Sequence, residues 1–275
     1  MAFIKTALII EKLRKHFQLG CSMSSAPKMN VHLLHGSNLA PAALINSYLC
    51  DGFTHICQSM GYEYSLELDS ADRLLAKPES FFENNVSATL GSGTTLFERK
   101  FSQISEKSTM LADIAKSWES FSLPRSFSDE VTLVIDELFT NAIFNAPVVD
   151  LKTQSNPGLS RQRTDVGMHP GKFGKITLAH DRTRLVVSCS DPYGTLNLNT
   201  YLQKVLATYE VGADYSMNFG AGGAGIGSFI IFNSASSLYF GVKPGVETLI
   251  SCVFTLHMSG KKRAMLPKHL HCIQL

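Results

Sequence analysis

Glu137, Asn141 and Asn145 recur every fourth residue, so any helix that carries them sets them on one stripe. An amide oxygen such as that of Asn141 can complete the oxygen shell of a magnesium ion that also holds phosphates. A carboxylate one turn earlier, at Glu137, can orient or deprotonate an attacking hydroxyl. By spacing alone, a solvated helix face is the commoner meaning of such a stripe.

A second group is Asp191-Pro-Tyr-Gly194, directly after an apolar run. A carboxylate at a strand end can accept a hydrogen bond from an adenine amino group, and Gly194 lets the backbone approach the base. Taken alone, the segment is an ordinary Asp-Pro turn. The third group is Gly220-Ala-Gly-Gly-Ala-Gly-Ile-Gly227, followed by the apolar run Phe229 to Phe232. Glycines let backbone N–H groups face a phosphate, and a helix start adds a favourable dipole. No Gly-Lys-Ser/Thr closes this run, so it is not a P-loop. It comes too late in the chain for a dinucleotide fingerprint, which opens the first strand-helix unit of a parallel sheet. A flexible linker would carry serines among its glycines and would not pass abruptly into an apolar helix.

These groups need elements to hold them. The spacing predicts a helix over 128–146, with Ser128 as its N-cap and Pro147 as its end. Val131, Ile135, Leu138 and Ala142 form its core stripe. A strand is expected at Thr95 to Phe101 and a helix at Ser105 to Phe121, with Met110, Leu111, Ile114 and Trp118 at helical spacing. Residues 175–178 and 185–189 read as strands around a turn at His180 to Thr183. Gly225 to Ser234 reads as a helix, and 237–241 and 248–256 as closing strands. Residues 150–173 read as a mobile loop, and 195–219 as a long segment before the glycines. Upstream, Ala42 to Met60 reads as helix and Tyr62 to Leu68 alternates like a strand. The basic tail 260–275 reads as loose.

The chain has 275 residues, 44% of them apolar and 17% charged, enough for one large domain or two smaller ones with a real core. A formal charge of +2 gives no reason to expect direct nucleic-acid binding. No run is long and apolar enough to span a membrane. Segment 1–28 is basic and amphipathic. It fits a surface helix, a targeting peptide, or translated upstream sequence ahead of a start at Met29. The six cysteines form no Cys-x-x-Cys pair and stand beside no histidine cluster, which favours reduced thiols in a cytoplasmic protein.

In order and placement, the three groups together resemble the GHKL superfamily of nucleotide-binding domains, found in gyrases, certain heat-shock chaperones, histidine kinases and MutL. Glu137-Leu-Phe-Thr-Asn141-Ala142 looks like its N box. Asp191-Pro-Tyr-Gly194 looks like its first glycine box, and Gly222-Gly-Ala-Gly-Ile-Gly227 like its second. Thr248 matches the threonine that supports the adenine-binding aspartate. The resemblance covers about 95–257. It implies an α+β fold, a two-layer α/β sandwich (the Bergerat fold) with a mixed, mainly antiparallel sheet.

It also implies a site for ATP and Mg2+. Asn141 would hold the metal and Glu137 would be the catalytic base. Asp191 would bind adenine with Gly194 beside the ring, and Thr248 would bond near Asp191. Asn145, Gly222, Gly223, Gly225, Ile226 and Gly227 would complete the nucleotide contacts. Phe97-Glu-Arg-Lys-Phe101 and the Phe127-Ser-Asp-Glu entry to the N box are similar to anti-sigma-factor serine kinases, which implies a sigma factor or an antagonist-like protein as partner and a possible homodimer. The family commonly has histidine where this chain has Asn145, and the loop 150–173 is an insertion. The expected organisation is a segment 1–28, a region 29–93 with no counterpart, an ATP-binding domain 94–258 and a tail 259–275. Three alternatives remain: a non-catalytic ATP-dependent protein-binding module, a histidine kinase catalytic domain acting on a separate phosphoacceptor, or a globular regulator with a decayed site.

Overall fold

A computed structural model describes residues 33–36, 39–59, 64–118, 124–144, 148–150, 165–211 and 226–275. Eight strands form one mixed sheet: β1 (Leu33–Gly36), β2 (His55–Gln58), β3 (Thr94–Phe101), β6 (Gly174–His180), β7 (Arg184–Asp191), β8 (Ser237–Lys243), β9 (Glu247–Thr255) and β10 (His269–Gln274). Their order is β1-β2-β10-β8-β9-β7-β6-β3. Only β1–β2 and β10–β8 are parallel. A short separate pair joins β4 (Val148–Asp150), at the start of the expected insertion 150–173, to β5 (Val166–Met168) inside it.

The α/β sandwich is present. On one face, α1 (Pro41–Leu49), α5 (Lys107–Trp118), α6 (Arg125–Phe144), α7 (Leu198–Val211) and α8 (Ile226–Ser234) share a core with the sheet. On the other face, α2 (Tyr64–Ala76), α3 (Ser80–Glu83) and α4 (Asn85–Leu90) cover Ala179, Val186, Tyr239 and Val253. The N-terminal region thus adds a second helical layer and two strands to the same sheet.

Helix α6 starts three residues before the expected Ser128 cap. Its buried stripe is wider than the four expected residues and also takes in Phe127, Val134, Phe139 and Ile143. Three expectations outside the central region are overturned. The stretch 42–60 read as helix holds α1 (Pro41–Leu49) and then strand β2 (His55–Gln58). The stretch read as a strand at 62–68 lies largely in helix α2, because its buried face is Glu67, Ser70, Ala71 and Leu74 at helical spacing. A charged and a small polar residue on that face leave no apolar period to read. The tail is not loose: α9 (Gly260–Arg263) leads into β10, whose residues 269–273 are buried.

What draws β10 and α2 together is a buried polar cluster. Glu67 Oε2 accepts from Tyr239 Oη at 2.6 Å and lies 3.2 Å from His271 Nε2. Arg184 Nη1 stands 3.5 Å from Glu67 Oε1, and Arg184 Nη2 2.9 Å from Asp181 Oδ2. Burial alone would push the Glu67 carboxyl up, but the hydrogen bond from His271, the nearby His269 and His271 rings and the Tyr239 hydroxyl together outweigh it and hold the group near 2. His55 Nδ1 and His271 Nδ1 lie 3.1 Å apart, which extends the cluster to β2. A lone ion at this depth would cost several kcal/mol, so the cluster stands only as a set.

Glu67→Ala is expected to lower the unfolding free energy by ~3–5 kcal/mol, because it leaves Arg184 buried beside one remaining carboxylate. Urea unfolding checks this against Glu83→Ala, which breaks only the exposed Lys77–Glu83 pair and should leave stability unchanged. Equal effects of the two substitutions would contradict the assignment.

Candidate functional site

Helix α6 runs alongside β7 in the same direction. Near the start of α6, the Phe127 ring meets Phe254 edge-on at 6.3 Å, and Phe254 is in register with Leu185. Eleven residues further along α6, the Leu138 carbonyl lies 3.7 Å from Cys189 Sγ. Asn141 then rises about 4.5 Å beyond Leu138 at the helical rise, and Asp191 about 6.6 Å beyond Cys189 at the strand rise. Cys189 and Asp191 share a face of β7 because strand side chains alternate. Asn141 and Asp191 therefore reach the same end of the sheet on the same face.

Asp191 is 9% exposed and pairs in register with Thr248 of β9. Its Oδ1 accepts from the Tyr193 N–H at 3.0 Å. Burial pushes its carboxyl up to about 6, while the Tyr193 N–H, the Thr248 side chain and the Gly194 N–H pull it down. Among the described residues, Thr248 Oγ1 meets no partner in good hydrogen-bond geometry, so its influence on Asp191 is that of a nearby dipole. A carboxyl poised at this value keeps its charge at neutral pH and remains a strong acceptor.

Gly194 has φ +62°, and a Cβ there would overlap the Lys243 carbonyl. The Asp-Pro-Tyr-Gly turn thus seats directly on the β8–β9 turn, and only glycine fits. Tyr193 reaches across to the insertion, where its hydroxyl accepts from the His169 N–H at 2.9 Å. Residues beyond the expected box thereby tie β5 to the site.

Glu137 and Gly227 are in contact. A Cβ at Gly227 would overlap Glu137 Oε2. Glu137 Oε2 and Asn141 Nδ2 are both shielded from bulk solvent. Gly227 lies in the first described turn of α8, so the described end of the glycine run lies against Glu137. Asn145, Gly222, Gly223 and Gly225 lie outside the described residues. Tyr201 was not among the expected residues. It is buried, its hydroxyl donates to the Ser228 carbonyl at 3.3 Å, and burial, Cys252 and Glu137 all push its hydroxyl pKa up. A tyrosine on the core stripe of 198–211 was the available signal, since a buried hydroxyl requires a partner.

Among the described residues, no cluster of three or more histidine, cysteine or acidic side chains could hold a metal by itself. A magnesium ion here would be bound chiefly by phosphates, with one protein amide. A polar cleft of about 410 Å³ opens elsewhere, between α4 and the β3–β6 edge, lined by Asn84, Ser87, Thr95, Glu98, Lys175 and Thr177. It lies on the other face of the sheet and shares nothing with the groups above. No helix among the described residues is long and apolar enough to cross a membrane.

No family model and no curated protein matches the chain. Among solved structures, it is similar to a chain of the crystal structure of the SiaB-SiaC complex from Pseudomonas aeruginosa, at 16% identity and a TM-score of 0.40, over 68% of this chain and 99% of that one.

The Glu137–Gly227 contact predicts a coupled pair. Gly227→Ala should destabilise the protein relative to its effect in a Glu137→Ala background, with an interaction energy of at least ~1 kcal/mol. Thermal unfolding of the four proteins of the cycle measures it. Additive effects would mean that the carboxylate does not fill the space under Gly227.

Proposed function

We propose that the chain binds Mg-ATP at the end of β7 and acts as an anti-sigma-factor-like serine/threonine protein kinase that switches a protein partner. The observation that carries this reading is the common level of Asn141 and Asp191, with Gly227 seated on Glu137 between the helices. In this reading Asp191 accepts from the adenine amino group and Thr248 orients it. Gly194 gives the ring a close floor. Asn141 offers its amide oxygen to a magnesium ion held mainly by the phosphates. Glu137, one turn earlier on α6, accepts the proton of the attacking serine hydroxyl. The terminal phosphoryl group passes to that hydroxyl oxygen, and ADP leaves. Gly222, Gly223 and Gly225 complete the phosphate side by analogy with the GHKL resemblance.

One observation favours a second reading, a non-catalytic module that uses ATP to reshape a partner surface. Glu137 already faces α8 rather than an open acceptor site. ATP would then order the surroundings of α8 without turnover.

Equilibrium dialysis of the full chain with ATP tests the site. Binding is expected to be at least tenfold tighter with magnesium than with chelator, and Asn141→Ala should remove most of that difference. Incubation with Mg-ATP and a small antagonist-like protein then separates the readings: acid-stable phosphate on its serine marks the kinase. Magnesium-independent ATP binding by the wild type would contradict the assigned role of Asn141.

A further inference from the structure

Strands β1 and β2 join the rest of the sheet along one short seam. Strand β2 meets β10 in two register pairs, Ile56 with Leu270 and His55 with His271. The Cys272 N–H donates to the Thr54 carbonyl at 2.7 Å beside them. Side chains supply further bonds across the seam. Gln58 Nε2 donates to the Lys268 carbonyl at 2.7 Å, and the Gln58 N–H donates to His269 Nδ1 at 3.2 Å. His55 Nδ1 lies 3.1 Å from His271 Nδ1. His55, Gln58, His269 and His271 are all buried.

Both histidine contacts need a ring nitrogen without a proton. A backbone N–H can only donate, so His269 Nδ1 must keep its lone pair to receive Gln58. The contact between His55 and His271 holds one proton between two Nδ1 atoms, whichever ring carries it. With both nitrogens protonated, two donors would face each other. A proton on His269 Nδ1 therefore breaks the Gln58 bond and leaves a buried charge, and a proton on each paired Nδ1 breaks that contact as well. We propose that this seam is an acid-opened joint: protonation of its histidines parts β2 from β10 while the strands from β8 to β3 stay paired. Helix α1 has its own hold, packed against α7 with Leu44 and Ile45 in the common core, so the opening is confined to the strands.

The groups around the seam set the pH window. Glu67 of α2, near 2, stays ionised across it. Arg184 of β7, Tyr239 of β8 and Tyr48 of α1 keep their protons, as do the buried thiols of Cys57 and Cys272. Lys268, lowered by burial to about 8, stays charged. His269 is held near 4 by burial, which with the His271 ring outweighs the pull of Glu67. In water the same ring titrates at about 6.5. The depressed value favours the closed seam above about 6.5, and that advantage is lost as pH falls toward about 4.

Amide hydrogen exchange of the full chain, followed by NMR at about pH 7 and about pH 5 and corrected for intrinsic rates, tests the joint. Protection of the Gln58 and Cys272 amides, relative to amides of β7 and β9, is expected to fall roughly tenfold or more at the lower pH. His269→Asn offers an amide oxygen to the Gln58 N–H in place of Nδ1 and takes up no proton. That variant should lose most of the pH dependence at Gln58. If it does not fold, the wild-type profile decides: selective loss at Gln58 and Cys272 upholds the joint. Equal loss in every strand, no loss at Gln58, or an asparagine variant with the full pH dependence overturns it.

Discussion

The packing of α6 along β7 is the constraint on which the site depends. Phe127 against Phe254 fixes one end of the helix, and Leu138 beside Cys189 fixes its height at the other. Given those two contacts, helical rise and strand rise bring Asn141 and Asp191 to one level. The apolar stripe of α6 does this work, with Val131, Val134, Ile135 and Leu138 all buried. The polar stripe at its margin is carried along and needs no contact of its own to be placed. A rotation of the helix by one residue would turn Glu137 and Asn141 away from the sheet end, and the tight fit of Glu137 against Gly227 of α8 opposes such a rotation.

Strand β7 links this end of the molecule to the other. It ends in Asp191 and begins in Arg184, which is buried in the cluster with Glu67. That cluster anchors the second helical layer and is completed by Tyr239 of β8 and His271 of β10. Asp181 and Glu67 pair the buried Arg184, and His271, after residue 259, completes the surroundings of Glu67, so the N-terminal region and the tail both contribute to the cluster that makes a buried arginine tolerable in the central sheet. The layer of α2 to α4 also keeps one face of the sheet from solvent, with Phe81 stacked on Tyr239 at 6.0 Å. The face that carries Asn141 and Asp191 and the covered face thus share strands while their chemistry stays separate.

The parts of the fold readable from the sequence were those with an apolar period. Strands β3, β6, β7, β8 and β9 fall within two residues of expectation at each end, because their alternation or continuous apolar runs mark burial directly. Helices α6 and α8 were legible for the same reason. Helix α2 was not, since its buried face holds Glu67 and Ser70, whose burial is tolerated only through partners far along the chain. Strand β10 was hidden likewise: His269 and His271 read as polar, yet both are buried, one accepting from the Gln58 N–H and the other beside Glu67. In the site, residue identity and spacing picked out Glu137, Asn141, Asp191 and Gly227, while nothing in the sequence showed that Glu137 would meet Gly227. Contacts between distant segments follow from helix packing, and spacing within one segment does not contain them.

Asp191 carries the account's central claim, since the same carboxylate must be buried, poised near 6 and aimed at adenine. Its raised value has a definite sign. Below about 6 the native protein takes up a proton there, and in the proposed complex the adenine amino group would lose a charged acceptor. The most direct measurement is calorimetric titration with Mg-ATP at about pH 8 and about pH 5, on wild type and Asp191→Asn. The account predicts wild-type affinity that weakens at the lower pH, and a variant that is weaker by about 1–3 kcal/mol at the higher pH and loses that part of the pH dependence. Equal affinity of the two proteins at the higher pH would contradict it.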